Sequence, residues 1–523
     1  MLSVVSGLLL WLSWPVSPCT PFIFIAFVPL LFAERYTEER GAFFRCSFLA
    51  MIIWNIGTTW WIWNATDAGA IGAIIANSLL MTLPWWGYRV FNRRYGRGVA
   101  LVSLVVFWMS FEYIHLNWQL SWPWLTLGNA FAMHPDWVQW YEYTGTSGGT
   151  LWILLINIVL FRLAEGTIRG RYRIKYIAAA AIIAALPFII SLFILNKTQA
   201  TNAGTKQNVI IVQPNIDPYE KFTSGSLGEQ LDILISLSEK KLDTNTVLVV
   251  WPETALSASV EENDVQNSPL FKPVFDFANR HPHITLLTGI ETFKVYGDQK
   301  ATSTARFDES SGIYYDDLNA AVSIKSGDPL LFYTKSKLVP GVETLPSFLG
   351  WMGAIFEQFG GTAGGYGHSD SSSVFREPQE PFITAPIICY ESIYGEYVST
   401  YVKKGANLLT IITNDGWWKN TPGHKQHLHY ASLRAIETRR YIARSANTGI
   451  SAVIDDKGHI LQTKGWGEAA FIKAEIPALT GITFFVEWGD ILSKMALAGC
   501  GLLIAWHIFT RIKQWMYKRS SKA

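Results

Sequence analysis

Hydrophobic positions along the chain fall into two regimes. From Met1 to about residue 196 they form long, almost unbroken runs, and one further run covers about 490–510. Helical runs of roughly 17–25 apolar residues match the hydrocarbon thickness of a bilayer. The pattern predicts eight spans, over about 1–15, 20–33, 43–64, 69–90, 97–115, 149–166, 174–195 and 490–510. Prolines interrupt the first two, which predicts a short helical hairpin with imperfect ends.

Between these runs the periodicity changes. Short β-branched and apolar runs at 209–213, 247–250, 284–287, 320–324, 330–333, 383–389, 408–412 and 471–476 read as buried strands. Segments 226–241 and 424–442 carry helical periodicity with polar outer faces. Strands alternating with helices predict a layered α/β domain. The expected organisation is 1–196 for the first seven spans and 205–480 for a globular domain. An eighth span over 488–511 and a basic tail over 512–523 complete it.

Charge then orients the spans. Arg35, Arg40 and Arg45 follow the second span, Arg89, Arg93, Arg94 and Arg97 the fourth, and Arg169, Arg171, Arg173 and Lys175 the sixth. The tail carries Arg511, Lys513, Lys518, Arg519 and Lys522, whereas 16–19, 65–68 and 116–148 contain neither lysine nor arginine. Basic loops stay in the cytoplasm, so both termini are expected there and the globular domain outside the cytoplasmic membrane. Met1 opens directly on an apolar run with no basic n-region or cleavage site, which reads as a retained helix.

Composition narrows the chemistry. A formal net charge of +2 on 523 residues points to no nucleic-acid partner. Four cysteines are too few for a disulfide framework, and Cys19, Cys46 and Cys500 lie in or beside apolar runs. Cys389 is thus the single thiol of the globular domain, at the end of a strand-like run. His424, His427 and His429 cluster but lack a third-ligand pattern, so no metal site is expected. Of the 23 tryptophans, Trp118, Trp122, Trp124, Trp137 and Trp140 crowd into 116–148. Two readings stand for that loop: an interfacial aromatic belt, or a wall docked against the globular domain. Glu112, near the end of the fifth span, is expected to make a structural hydrogen bond to His115 or the loop backbone.

Two more strand-like runs end on one ionisable residue each: 249–250 before Glu253, and 330–333 before Lys335. Glutamate, lysine and cysteine in this order resemble the triad of the nitrilase superfamily of carbon–nitrogen hydrolases. That resemblance implies an α-β-β-α sandwich without a cofactor. A thiol attacks a carbonyl as thiolate, so it needs a base and a stabilising cation. Glu253 is expected to be the base, and Lys335 to stabilise thiolate and oxyanion. The backbone N–H of Tyr390 is the natural second oxyanion donor. Glu343 and Glu391 are expected to support Lys335 and the substrate amine. Lys337 competes with Lys335 on position alone; the family's spacing to Pro340 and Glu343 favours Lys335.

The match extends to both halves of the chain. Spans flanking a nitrilase-like domain, with Trp122-Pro123-Trp124-Leu125, Trp251-Pro252-Glu253-Thr254-Ala255, Lys335-Ser336-Lys337-Leu338-Val339-Pro340 and Ile388-Cys389-Tyr390-Glu391, resemble the apolipoprotein N-acyltransferases. So do Asn414-Asp415-Gly416-Trp417-Trp418, Gln426-His427-Leu428 and Arg434-Ala435-Ile436-Glu437. This chain departs from the family in Gly341-Val342-Glu343, where Phe-Gly-Glu is usual, and in Trp418, where Phe is usual. The resemblance implies a multi-pass protein of the bacterial inner membrane with a periplasmic catalytic domain. Its reaction would move an acyl chain from a phospholipid, through a thioester on Cys389, to the α-amine of a diacylglyceryl-cysteine on a lipoprotein. A membrane-tethered amidase would use the same triad with water as acceptor, and a catalytically silent lipid-binding protein is the non-enzyme alternative.

Apolar residues at near-helical spacing over 344–367, with glycines at 360, 361, 364 and 365, predict a mobile arm at the membrane surface, with packing onto the domain core as the alternative. Phe348 and Trp351 on that arm, with Phe222 and Trp417, are the expected lid or substrate contacts.

Overall fold

A computed structural model of the chain describes residues 1–166, 170–197, 206–219, 221, 227–352 and 365–521. Six of its helices are long and apolar enough to cross a membrane: 41–64, 69–95, 97–116, 146–164, 170–196 and 491–520. The first two expected spans are shorter. They form helices Leu2–Leu12 and Val28–Tyr36, of 11 and 9 residues, around a turn at Thr20–Phe24. Neither reaches the ~20 residues a lone helix needs, so the expectation of eight full spans holds in length for six. Pro84 and Pro187 sit inside spanning helices, where neighbouring groups can re-satisfy the freed backbone.

The globular domain holds two facing sheets. One contains β1 (Lys206–Gln213), β2 (Thr246–Val250), β3 (Leu256–Glu261), β4 (Thr285–Gly297), β5 (Arg306–Asp308), β6 (Ile313–Ile324), β7 (Leu331–Thr334) and β14 (Ala470–Pro477). Its main path runs β14-β1-β2-β4-β6-β5, with β3 beside β4 and β7 beside β6. The other sheet runs β13-β12-β11-β10-β9-β8. These strands are β8 (Phe375–Arg376), β9 (Ile383–Ile388), β10 (Leu408–Thr413), β11 (Ile442–Ala446), β12 (Ala452–Ile454) and β13 (Ile460–Thr463).

Alternation along each strand builds the layers. Val209 and Ile211 of β1 join Leu248, Val250, Ala385 and Ile387 in the core between the sheets. Ile210 and Val212 point the other way, onto Leu231, Leu234 and Phe277 of helices Leu227–Glu239 and Lys272–Arg280. Helices Gly395–Lys403 and Pro422–Thr438 cover the second sheet. The result is the α-β-β-α sandwich. Every strand expected from the sequence is present; β3, β5, β8, β11, β12 and β13 were not expected. Most of these are short or carry polar residues, and a period-2 signal needs length to show. The expected helix over 424–442 stops at Thr438, because Arg439 turns left-handed with φ 50° and β11 begins at Ile442.

Helix Pro422–Thr438 is also the seam to the membrane helices. The Trp124 indole donates to Gln426 Oε1 at 2.7 Å, and Gln426 Nε2 donates to the Pro15 carbonyl at 2.8 Å. Tyr430 donates to the Trp124 carbonyl and accepts from the Trp14 indole, each at 2.9 Å. Trp61 packs on both Trp124 and Trp418, with ring centroids 4.8 Å apart in each pair. The tryptophan-rich loop therefore docks on the globular domain. Glu112 anchors it: one carboxyl oxygen accepts the Leu127 N–H at 2.8 Å and the Trp108 indole at 2.9 Å, the other the Thr150 hydroxyl at 2.7 Å. The expected alternative partner, His115, bonds Trp118 instead.

Candidate active site

Three strand ends converge at the edge of the sandwich facing the docked loop. Past β2, the chain carries Trp251-Pro252-Glu253 across β4, held by Trp251 N–H to the Leu287 carbonyl at 2.9 Å and Gly289 N–H to the Pro252 carbonyl at 3.1 Å. A Cβ on Gly289 would lie 2.4 Å from Thr254 N and 2.6 Å from Glu253 Cα. Only glycine lets this crossing sit so close. Lys335 follows β7, with its N–H on the Asn319 carbonyl at 2.9 Å. Cys389 follows β9 and opens the turn Cys389–Ile393. Cys389 and Thr254 both have φ 49°, a conformation that costs a non-glycine residue ~1–3 kcal/mol and recurs at functional sites.

Glu253, Lys335 and Glu343 form one buried cluster. Lys335 Nζ lies 3.1 Å from Glu253 Oε1 and 2.7 Å from Glu343 Oε1. Asn319 Nδ2 donates to both carboxylates, at 2.9 and 3.3 Å, and the Asn414 N–H donates to Glu253 Oε2 at 3.1 Å. Burial works against charge on Lys335, but Glu253 and Glu343 outweigh it and hold the ammonium well above its ordinary pKa. The half-buried Cys389 is coupled to the same charges. Burial first, then the charge of Glu253, pushes its thiol well above the usual range, with Lys335 opposing. Both effects disfavour the thiolate, so an attack by this thiol would call for a base to take its proton.

Glu391 lies within the framework behind Lys335. It is fully buried and accepts the Ser336 N–H and the Tyr333 hydroxyl, each at 2.6 Å, and the Ile388 N–H at 2.9 Å. It ties the loop that carries Lys335 to the turn that carries Cys389, in line with the expected support of Lys335. Tyr390 occupies the second position of that turn, where an N–H has no intrahelical acceptor. Its hydroxyl donates to the Ser121 carbonyl at 2.9 Å, and Tyr394 bonds the Ser121 hydroxyl at 2.7 Å. The loop before Trp122 thereby meets the turn directly.

Of the expected lid residues, Phe348 is 55% exposed and Trp417 38% exposed. Trp417 packs edge-on against Tyr219, whose hydroxyl donates to the Asn64 carbonyl at 3.0 Å. Phe222, the side chain of Trp351 and most of the expected arm (353–364) lie outside the described residues.

Three further residues adjoin the site: Asn319 and Lys221 had no sequence signal of their own, and His427 was read only within the histidine cluster and the Gln426-His427-Leu428 motif. Asn319 lies inside a strand. Lys221 donates to the Glu253 carbonyl at 3.3 Å and to Thr254 Oγ1 at 2.8 Å, and burial lowers its pKa to about 8. His427 is fully buried behind the nucleophile turn, 2.9 Å from both Asp415 Oδ1 and Ser392 Oγ and 3.3 Å from the Cys389 carbonyl. His424 turns elsewhere, its ring 4.3 Å from that of Trp466. Burial lowers both His424 and His429 to about 4.

Comparisons with known proteins agree along the whole chain. The profile of the apolipoprotein N-acyltransferase N-terminal domain matches residues 6–159, and that of carbon–nitrogen hydrolases matches 208–482. The apolipoprotein N-acyltransferase of Chlorobaculum tepidum is 31% identical over 96% of this chain and 95% of its own length. That of Geobacter metallireducens is 26% identical over 97% and 94%. Among solved structures, Saccharomyces cerevisiae Nit3, of branch 10 of the nitrilase superfamily, aligns with a TM-score of 0.37 and 18% identity. That alignment covers 53% of this chain and 92% of Nit3. With two domain profiles in order and relatives matching end to end, this chain belongs to the apolipoprotein N-acyltransferase family.

Proposed function

We propose that the protein transfers an acyl chain from a membrane phospholipid to the N-terminal amine of a diacylglyceryl lipoprotein by way of a Cys389 thioester. Cys389 Sγ attacks the ester carbonyl of the phospholipid while Glu253 takes the thiol proton. Lys335 and the Tyr390 N–H receive the oxyanion, each such donor contributing about 10²–10³ in rate. The carbon–oxygen bond breaks, Glu253 returns the proton to the leaving alkoxide, and lysophospholipid departs. The lipoprotein amine then attacks the thioester, Glu253 takes its proton, and Cys389 leaves and is reprotonated as the amide forms.

The observation that carries this reading is the convergence of Glu253, Lys335 and Cys389 beside a loop rooted in the membrane helices. The raised thiol pKa supports a base-assisted rather than a preformed-thiolate attack. The arginine-rich loops favour cytoplasmic termini and a globular domain on the outer face of the inner membrane. Intact-protein mass spectrometry after exposure to phospholipid tests the chemistry. An added acyl mass on the wild-type chain, discharged by an amine and absent from Cys389→Ala, is the expected result. Acyl mass retained by Cys389→Ala would overturn it. Release of free fatty acid in place of amide product would favour an amidase-like hydrolysis.

A further inference from the structure

A cleft of about 340 Å³ lies on the other side of the nucleophile turn from the Glu253 cluster. The last turn of helix Arg97–Leu116 (Tyr113, Leu116), Thr146 at the start of helix Thr146–Ala164, and Asp490 and Lys494 at the start of helix Ile491–Ser520 form one wall. These are the helix ends nearest the globular domain, which is headgroup depth whichever way the chain is inserted. Lys337, Tyr394, Glu396 and Tyr397 form the facing wall.

The cleft is lined by two lysines and two carboxylates, Lys337, Lys494, Glu396 and Asp490, which pair unevenly. Lys494 is paired with Glu396 at 2.5 Å. Asp490 caps its helix through Ser493 N–H at 3.0 Å and accepts the Ser147 hydroxyl at 2.7 Å. Lys337 is left over: among the described residues its ammonium has no carboxylate partner, and it lies over the rings of Tyr397 and Tyr394, 5.2 and 5.7 Å from their centroids. Burial pushes its pKa down, the mark of a cation missing a counter-ion. The Glu391 charge acts on it from behind, but that carboxylate is already bonded to backbone N–H groups and tyrosine hydroxyls. Below the cleft, Ile114 and Met495 expose 49% and 65% of their surface on the membrane helices, and Phe484 and Trp488 flank its rim at 44% and 61%. Acyl chains can run along the first pair while the aromatic rings sit at the interface.

We propose that this cleft is a second lipid site, separate from the acyl-transfer chamber, that binds the phosphodiester of a glycerophospholipid through Lys337. Lysine binds phosphate as a point charge, and phosphodiesters are the abundant anions at this depth of a bilayer. The hydroxyls of Thr126 and Thr146 line the same space. The site also touches the catalytic framework. The backbone N–H of Lys337 reaches Glu391 Oε1 at 3.3 Å, the oxygen that holds Ser336 and so the Lys335 loop. A phosphate bound here steadies that loop without entering the reaction. The inference rests on membrane insertion alone, so it stands or falls independently of the acyl-transfer reading.

The test uses the full chain in dodecyl maltoside micelles, which carry no phosphate, with phosphatidylglycerol bearing a photoreactive headgroup, and maps adducts by peptide mass. Adducts on the segments around Asn117 and Tyr394–Thr400 are expected in the wild type. They should fall about tenfold in Lys337→Met, the scale of one lost charge-assisted contact, and return in Lys337→Arg. Unlabelled phosphatidylglycerol should compete, and diacylglycerol, which lacks the phosphate, should not. Equal labelling in Lys337→Met, or equal competition by diacylglycerol, overturns the proposal. Competition by inorganic phosphate at the same concentration would assign the cleft to free phosphate instead. Should Lys337→Met fail to fold, the wild-type competition series decides the matter.

Discussion

Glu391 accepts the Ser336 N–H at 2.6 Å and, through its other oxygen, the Ile388 N–H at 2.9 Å. One buried carboxylate thus sets the distance between the loop that carries Lys335 and the turn that carries Cys389. Replacing Glu391 with Gln turns an amide NH₂ toward one of two N–H donors. The cost of an unmet buried donor is ~1–3 kcal/mol. Glu391→Gln should lower the melting temperature and slow thioester formation, while Cys389 stays alkylatable. A variant with wild-type acylation and stability would show that the link is dispensable.

The thiol of Cys389 lies above its ordinary pKa through burial and the charge of Glu253, with Lys335 opposing. Below that pKa the thiolate fraction grows with pH, so iodoacetamide labelling should keep rising past the range of a free cysteine. Glu253→Gln removes the negative charge, lowers the thiol pKa and should speed labelling at fixed pH by about tenfold. Lys335→Met should slow it. Acyl transfer should be lost in both. Labelling rates that move the opposite way would refute the electrostatic assignment.

Gly289 tests the seating of Glu253. An alanine there must push the Glu253–Thr254 backbone away, since the clash is with main-chain atoms rather than a flexible side chain. Gly289→Ala should cost ~1–3 kcal/mol and reduce acyl-enzyme formation at least as strongly. Thermal unfolding together with single-turnover acylation measures both.

Tyr430→Phe probes the seam between the halves. It leaves the Trp124 carbonyl and the Trp14 indole without a shared partner, at ~1–3 kcal/mol for each buried group left unmet. The expected outcome is a lower melting temperature and freer proteolysis at the seam. Unchanged unfolding would mean that the hydroxyl is not part of what holds the halves together.

Orientation is checked with reporter fusions. Fusions near residue 300 and near residue 170 should report opposite sides of the membrane, the first outside and the second cytoplasmic. The same signal from both would reverse the reading of the arginine loops.

Glu253, Lys335 and Cys389 were legible in the chain because each ends an apolar strand-like run. A strand end fixes where a side chain emerges, and a lone ionisable residue there stands out against its neighbours. Six of the eight expected spans were legible for the same reason, since length and apolarity are local properties. What joins these pieces is not local. Asn319 bridges Glu253 to Glu343 from the middle of a strand, where a polar residue has no pattern to announce it. His427 looked like part of a histidine cluster, yet it faces Asp415 and the Cys389 carbonyl, just past neighbouring strands of the sheet that its helix covers. How Glu391 braces the Lys335 loop came into view only with its partners Ser336 and Tyr333, 55 and 58 residues away. The tryptophans of 116–148 could have faced lipid or protein, because their rings suit both. Packing against Tyr430 and Gln426 assigned Trp124 to the globular domain, as stacking on Tyr390 did Trp122. Trp137 and Trp140 pack instead on Phe188 and Trp152 of the helical half. Periodicity reports which face of one element is buried, but hydrogen bonds between distant elements depend on how the sheets and helices stack, and that is a property of the whole fold.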